Sequence, residues 1–225
     1  MRRFTDRTEA GRELATMLQS FAGRSDVIVL GLPRGGVPVA FEIATALGVP
    51  LDVFTVRKIG LPDNEEFAIG AIATGGITAI DWRTADAMHV GERALEAVIA
   101  REREELTRRE RLYRGTRPVP VVAGRTVIVV DDGLATGSTM YAAVLALRTL
   151  QPARIVVAVP VASPEATAMI RTVADSCLCV YVPTRLYSVG QWYEDFSPTT
   201  DTEVLSLLRR AGERSRPAPP APAHA

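Results

Sequence analysis

Residues 127–140 read VIVVDDGLATGSTM. A β-branched apolar run meets two adjacent carboxylates, Asp131 and Asp132, and then a loop of glycine, alanine and hydroxyl residues. A continuous apolar run of this kind is what a strand buried on both faces requires. Such strands belong to parallel sheets covered by helices. Packing gives no reason to end one on two acids and a small-residue loop, so this stretch constrains both fold and chemistry.

The same pattern recurs along the chain. DVIVLG (26–31), LDVFTVRK, FAIGAIAT, ARIVVAVPV and SCLCVYV read as further strands. Helical spacing of apolar residues marks 8–21 (Leu14, Met17, Leu18, Phe21), VPVAFEIATAL, STMYAAVLALRTL and PEATAMIRTVA. Strands alternating with helices of about a dozen residues make right-handed βαβ units. The expected fold class is α/β, a mainly parallel twisted sheet flanked by helices, in a single domain over 1–212.

Two segments depart from that rhythm. Residues 91–115, GERALEAVIAREREELTRRERLYRG, form one long helix by pattern, with a narrow apolar stripe amid dense charge. A solvated helix laid over the sheet or over a partner subunit is expected there, serving as a cap over a ligand site or as dimer surface, between which the sequence does not choose. The Pro/Ala-rich residues 213–225 are expected to be disordered.

Composition excludes several classes. The 225 residues carry no formal net charge, which gives no electrostatic reason to bind nucleic acid or an anionic membrane. The arginines of 91–115 are matched by nearly as many glutamates. No apolar run approaches the roughly 18 residues that span a bilayer. MRRFTDRTEA lacks an apolar signal core, so secretion is not expected. Cys177 and Cys179 on a strand would face one side, too close in sequence for an unstrained disulfide. A reduced, cytoplasmic protein is expected.

In open α/β sheets, ligands bind beyond the carboxyl ends of the strands. The loop Gly133–Thr139 can turn backbone N–H groups inward with a helix N-terminus behind them, an anion site suited to phosphate. Thr136, Ser138 and Thr139 add hydroxyls, and Gly137 allows close approach. The GxxxxGK[ST] pattern of nucleoside-triphosphate loops is missing. Asp131 and Asp132 would repel a phosphate and suit hydroxyls or a metal ion. Phosphate at one end and diol beside it describe a ribose 5-phosphate.

Strand, two acids and G-L-A-T-G-S-T resemble the phosphoribosyl pyrophosphate (PRPP) motif of the type I phosphoribosyltransferases. The resemblance implies that Asp131 and Asp132 hold the ribose hydroxyls and that Ala135, Thr136, Gly137, Ser138 and Thr139 hold the 5′-phosphate. GLPRGGVPVA (31–40) then corresponds to the family's pyrophosphate loop, often with an unusual cis peptide, and presents Arg34, Gly35 and Gly36. VRKIGLPDNEEFAIGAIA (56–73) corresponds to the next element, where Arg57 and Lys58 meet the leaving group and Leu61–Glu66 form a lid. The chain also resembles a bacterial subgroup of this family that shares the RGG loop and the long helical insertion. That likeness covers most of 1–210.

The implied activity is that of a pentosyltransferase, with PRPP as cosubstrate and Mg²⁺ as cofactor, in a homodimer. Asp131, Asp132 and Asp195 are the candidate metal ligands; Asp195, like Glu194, can instead accept from an exocyclic amine of the acceptor. Ala135 stands where hypoxanthine–guanine enzymes carry an aspartate, so an oxopurine acceptor is disfavoured. Glu65 and Glu66 are the candidates for moving a proton; His89 and His224 lie outside the motifs. Acceptor recognition is assigned to a C-terminal hood, PTRLYSVGQWYEDFSP (183–198), where Tyr187, Trp192, Tyr193 and Phe196 can stack on a base. The same aromatics can instead bury the helix that follows.

Three other readings use the same residues. A catalytically silent PRPP- or nucleotide-binding regulator keeps the site without the chemistry. A sugar-phosphate phosphatase would need D-x-D, since adjacent aspartates on a strand point to opposite faces. Relatives of PRPP synthetase need tandem domains and a longer chain.

Overall fold

The first strand, β1 (Val27–Gly31), is buried at every position, and so is β6 (Thr126–Val130), its parallel neighbour. The computed structural model describes residues 3–61 and 64–214. Between β1 and β6 the register runs Val27 with Thr126, Val29 with Ile128 and Gly31 with Val130. β2 (Leu51–Val53) joins β1 on one side. β7 (Arg154–Val161) and β8 (Ser176–Tyr181) extend the sheet beyond β6. The order β2-β1-β6-β7-β8 is parallel throughout.

Alternation divides each strand between two apolar layers. Val27, Val29, Ile128, Val130, Val156 and Ala158 pack beneath α1 (Arg7–Thr16) and α2 (Gly36–Leu47). Ile28, Leu30, Val127, Val129, Ile155 and Val157 pack beneath α5 (Ser138–Thr149) and α6 (Pro164–Arg171). Helix covers on both faces explain why the strands read as unbroken apolar runs. Local signals fix the helix ends. Asp6 caps α1 by accepting from Glu9 N–H (2.8 Å), and Ser163 caps α6 by accepting from Ala166 N–H (3.0 Å). Gly48 closes α2 in the left-handed region at φ 65°.

The stretch LDVFTVRK is not one strand. It divides into β2, in the parallel sheet, and β3 (Val56–Leu61), in a separate antiparallel sheet with β4 (Asn64–Ala73) and β5 (Ile77–Ile80). FAIGAIAT accordingly lies in β4, outside the parallel sheet. Two threonines fix the break. Thr55 N–H donates to Thr74 Oγ1 (2.9 Å), and Thr74 N–H donates to the Thr55 carbonyl (2.9 Å). Both residues are buried, and these bonds keep the Thr55 backbone paired where the chain turns out of the first sheet, while Thr55 Oγ1 is left without a partner.

The expected insertion helix is α4 (Glu92–Arg114), preceded by the short α3 (Trp82–Ala87). Leu95, Val98, Ile99 and Leu106 of α4 cover Ile59, Leu61, Ile69 and Ile72, so its narrow stripe serves the antiparallel sheet. At its C-terminal end Arg114 is buried against Asp52 (2.8 Å), tying the helix to β2. The hood segment 183–198 is largely irregular, with a 3₁₀ turn at Val189–Trp192. The C-terminal helix α7 (Asp201–Arg214) packs on α2 and enters the first two residues of the expected disordered tail. The rest of that tail lies outside the described residues. Cys177 and Cys179 of β8 carry free thiols with Sγ atoms 3.8 Å apart.

Among the described residues no helix is long and apolar enough to cross a membrane.

Candidate active site

The sheet's order reverses between β1 and β6. The connection through α2 leads to β2 on one side of β1, while β6 lies on the other. Loops leaving the carboxyl ends of two such strands part and leave a crevice. One loop here is Leu32–Gly35 and the other is Asp131–Gly137.

The two loops touch. Leu32 N–H donates to the Val130 carbonyl (2.9 Å), extending the β1–β6 ladder past the last strand residue. A β-carbon added at Gly35 would overlap the Asp132 carboxylate, and one at Gly36 would come within 2.5 Å of the Val130 oxygen. Glycine is needed at both positions because the acidic loop occupies the space. The Pro33–Arg34 peptide is cis, in the loop where the resemblance implies one. Arg34 is half-exposed, 3.8 Å from Asp201 at the start of α7. Tyr113 of α4 donates its hydroxyl to the same carboxylate (2.5 Å), and burial followed by that bond pushes the phenol up to about 12.

Asp131 Oδ1 accepts from Asp132 N–H (2.9 Å). Burial pushes the Asp131 carboxyl well above the ordinary carboxylate range, and the neighbouring Asp132 charge adds to that. Burial raises Asp132 as well, against the pull of an arginine that sequence reasoning missed. Arg7, the first residue of α1, places Nε and Nη2 2.9 and 2.8 Å from Asp132 Oδ2. Its Nη1 donates to the Ser197 carbonyl (2.8 Å), and the Phe196 ring lies 4.0 Å from its Cζ. The pair is separated by 125 positions in sequence, and no local pattern links them.

The phosphate-type loop is pinned from behind. Leu134 N–H donates to the Val161 carbonyl (2.9 Å), Ser163 N–H donates to the Leu134 carbonyl (2.9 Å), and Ser163 Oγ donates to the Ala135 carbonyl (2.8 Å). Gly137, at φ 75°, backs onto Ala166 and Met169, where a β-carbon would come within 2.9 Å of Met169 Cε. The Leu134 and Ala135 carbonyls thus face the protein. The N–H groups of Ala135, Thr136, Gly137 and Thr139 find no partner among the described residues. They stand at the N-terminus of α5, beside the Thr136 and Ser138 hydroxyls 3.2 Å apart. Unpaired donors, hydroxyls and a helix N-terminus together favour an anion.

Other candidate residues fall elsewhere. Arg57 and Lys58 are consecutive on β3 and therefore point to opposite faces, so they do not form a joint cationic site. Arg57 shares its face with Ile59 and Ile72 and pairs with Glu102 of α4 at 2.7 Å, from both Nε and Nη2. Lys58 pairs in register with Ala71 and shares the face of Val56, toward α5. The expected lid at Leu61–Glu66 is a strand end and a strand start, Leu61 in β3 and Glu65 and Glu66 in β4; 62 and 63 lie outside the described residues.

Two of the four hood aromatics are core residues. Trp192 and Tyr193, 6% and 3% exposed, pack with Phe4, Ala10 and Val161, with Trp192 stacked on Tyr181 at 5.2 Å. They bury the N-terminal segment against the edge of the sheet, not the C-terminal helix, and their faces are not open to a base. Burial also raises the Tyr193 phenol, whose hydroxyl donates to the Asp132 main-chain oxygen (2.7 Å). Tyr187 is 76% exposed, and Phe196 is half-buried against Arg7.

Asp195 does not join the acid pair. Its Oδ1 accepts from the Ser197 hydroxyl (2.6 Å) and N–H (2.9 Å), which hold it below the usual carboxylate range. Among the described residues no three His, Cys, Asp or Glu side chains converge as metal ligands. Asp131 and Asp132 are hard oxygen donors at one place, but they are two, and Asp132 Oδ2 is already taken by Arg7.

The family model of the phosphoribosyl transferase domain matches residues 6–190. In Mycobacterium tuberculosis, strains H37Rv and CDC 1551 each have a relative provisionally named as a phosphoribosyl transferase. Each is 42% identical over 212 residues, which is 94% of this chain and 47% of the relative. The chain thus spans about half the length of those relatives. The crystal structure of TT1426 from Thermus thermophilus is similar at TM-score 0.84 and 44% identity, covering 93% of this chain and 99% of that one. With a family model matching most of its length and relatives this similar, the chain belongs to the phosphoribosyl transferase domain family.

Proposed function

We propose that this chain transfers the 5-phosphoribosyl group of PRPP to a nucleobase-like acceptor, releasing pyrophosphate. The observation that supports this most is the convergence of the acid pair, the unpaired N–H groups of Ala135, Thr136, Gly137 and Thr139 and the Arg34–Gly35 loop on one crevice between β1 and β6.

In this reading the N–H groups and hydroxyls of 135–139 bind the 5′-phosphate, and the Asp131 and Asp132 carboxylates accept from the ribose hydroxyls. Arg34 and the Gly35 N–H bind the pyrophosphate. An acceptor nitrogen attacks the anomeric carbon while the bond to the pyrophosphate oxygen breaks and its electron pair leaves with pyrophosphate. Held phosphate and diol fix the sugar between acceptor and leaving group, which converts binding energy into alignment. Donors fixed in advance around the leaving group lower the barrier without reorganisation.

Two carboxylates make an incomplete shell for a hard dication. Mg²⁺ therefore fits here with PRPP and water supplying its other oxygens, and once bound it would neutralise charge on the departing pyrophosphate. Glu65 and Glu66 are the proposed acceptors of the proton lost by the nucleophile. Unchanged turnover in a Glu65→Gln, Glu66→Gln double variant would remove them from that role.

Tyr187 and Phe196 are the hood aromatics proposed to meet the acceptor. The test is pyrophosphate release from PRPP and Mg²⁺ across a panel of nucleobases, with release expected for one acceptor class. A second reading, a PRPP-binding protein without turnover, is favoured by one observation: Arg57 is held by Glu102 of α4 through both Nε and Nη2. PRPP binding with no release for any acceptor would select it.

A further inference from the structure

We infer that Arg7 is a positioning residue of the ribose site, making the N-terminal helix a working part of it. The inference rests on the proposed assignment of Asp132 to the ribose hydroxyls. Arg7 is only 12% exposed, and each of its three guanidinium nitrogens has a fixed partner. Nε and Nη2 converge on the single oxygen Oδ2 of Asp132, and Nη1 is anchored on the Ser197 carbonyl. Phe196 lies on its face at 4.0 Å, so the guanidinium plane cannot turn freely.

The consequence is a carboxylate fixed in one orientation. Oδ2 is committed to Arg7, while Oδ1 has no hydrogen-bond partner among the described residues and is the acceptor left for a hydroxyl. The main chain of the same residue is held by the Tyr193 hydroxyl at 2.7 Å. Lysine cannot reproduce this arrangement, because a point charge neither forks onto one oxygen and a carbonyl nor stacks flat on a ring.

The test compares the wild type with Arg7→Met and Arg7→Lys by isothermal titration in metal-free buffer, using ribose 5-phosphate and, separately, inorganic pyrophosphate. The two ligands differ in that only the first carries the diol. Ribose 5-phosphate is expected to bind about tenfold or more weaker to Arg7→Met and several-fold weaker to Arg7→Lys. Pyrophosphate binding should be unchanged in both, which a general loss of structure would not spare. If Arg7→Met does not fold, Arg7→Lys decides alone. Wild-type affinity for ribose 5-phosphate in the folded variants would overturn the inference. No binding of ribose 5-phosphate by the wild type would instead overturn the assignment of Asp132 on which it rests.

Discussion

Gly35 lies so close to Asp132 that the space for a β-carbon at residue 35 is filled by the aspartate carboxylate. Loops that follow different strands are thereby locked together, and the acid pair is held where the crevice opens. The backbone at Gly35 is itself ordinary, with φ −60° and ψ −32°. Glycine is there for space and not for conformation.

Gly35→Ala is therefore expected to fold while losing the site. Alanine accepts that backbone without strain, so the new methyl acts only by displacing the Asp132 carboxylate. Thermal melting should change little, and PRPP affinity should fall by about tenfold or more. Wild-type affinity in this variant would show that the two loops do not form one site.

Asp131 is kept at a cost to stability. Its folded-state carboxyl is raised by burial and by Asp132, so the unfolded chain gives up this proton at lower pH than the folded protein does. The stability this group contributes is then greatest below the ordinary carboxylate range and declines as pH rises from there through the raised value. Asp131→Asn keeps the Oδ1 acceptor for Asp132 N–H and removes the charge. Urea unfolding at neutral pH is expected to show a gain of about 1 kcal/mol with loss of PRPP binding. A destabilised Asp131→Asn protein would contradict this.

The pair of Arg57 and Glu102 joins the antiparallel sheet to α4. Glu102 is 8% exposed; Arg101 stays on its Oε1 at 3.2 Å, but removing Arg57 leaves its buried Oε2 without a partner. Arg57→Ala should lower unfolding free energy by about 1–3 kcal/mol, discounted for the partial exposure of the arginine. The measurement is chemical denaturation. Unchanged stability with lost turnover would return Arg57 to the leaving group.

The hood aromatics should separate into two kinds. Trp192→Ala removes a core ring and is expected to cost about 3–5 kcal/mol. Tyr187→Ala should stay within about 0.5 kcal/mol of the wild type, and any change in KM for the acceptor should appear there. A stable Trp192→Ala protein with a raised acceptor KM would restore Trp192 to the hood.

What could be read from sequence and what could not follows from the range of each signal. The buried strands announced themselves because helices cover both faces, and the acid pair and phosphate-type loop are contiguous in sequence. The long helix of 91–115 was legible from its stripe, while its packing partner, the antiparallel sheet, was not. LDVFTVRK failed as one strand because the turn at Thr55 depends on Thr74, a partner 19 positions away. Arg57 and Lys58 are adjacent in sequence, but on β3 they lie on opposite faces. Trp192 and Tyr193 looked like a binding surface because nothing local says that Phe4 and the edge of the sheet will cover them. Arg7 gave no signal at all, since its role exists only across 125 positions.

The central claim is that Asp131, Asp132 and the loop to Thr139 bind a ribose 5-phosphate unit. Its most direct test is isothermal titration of PRPP with Mg²⁺ into the wild type and into the Asp131→Asn, Asp132→Asn variant. Saturable one-site binding by the wild type, weakened by about a hundredfold or more in the variant, is the predicted result. No binding by the wild type, or equal binding by both, would contradict it.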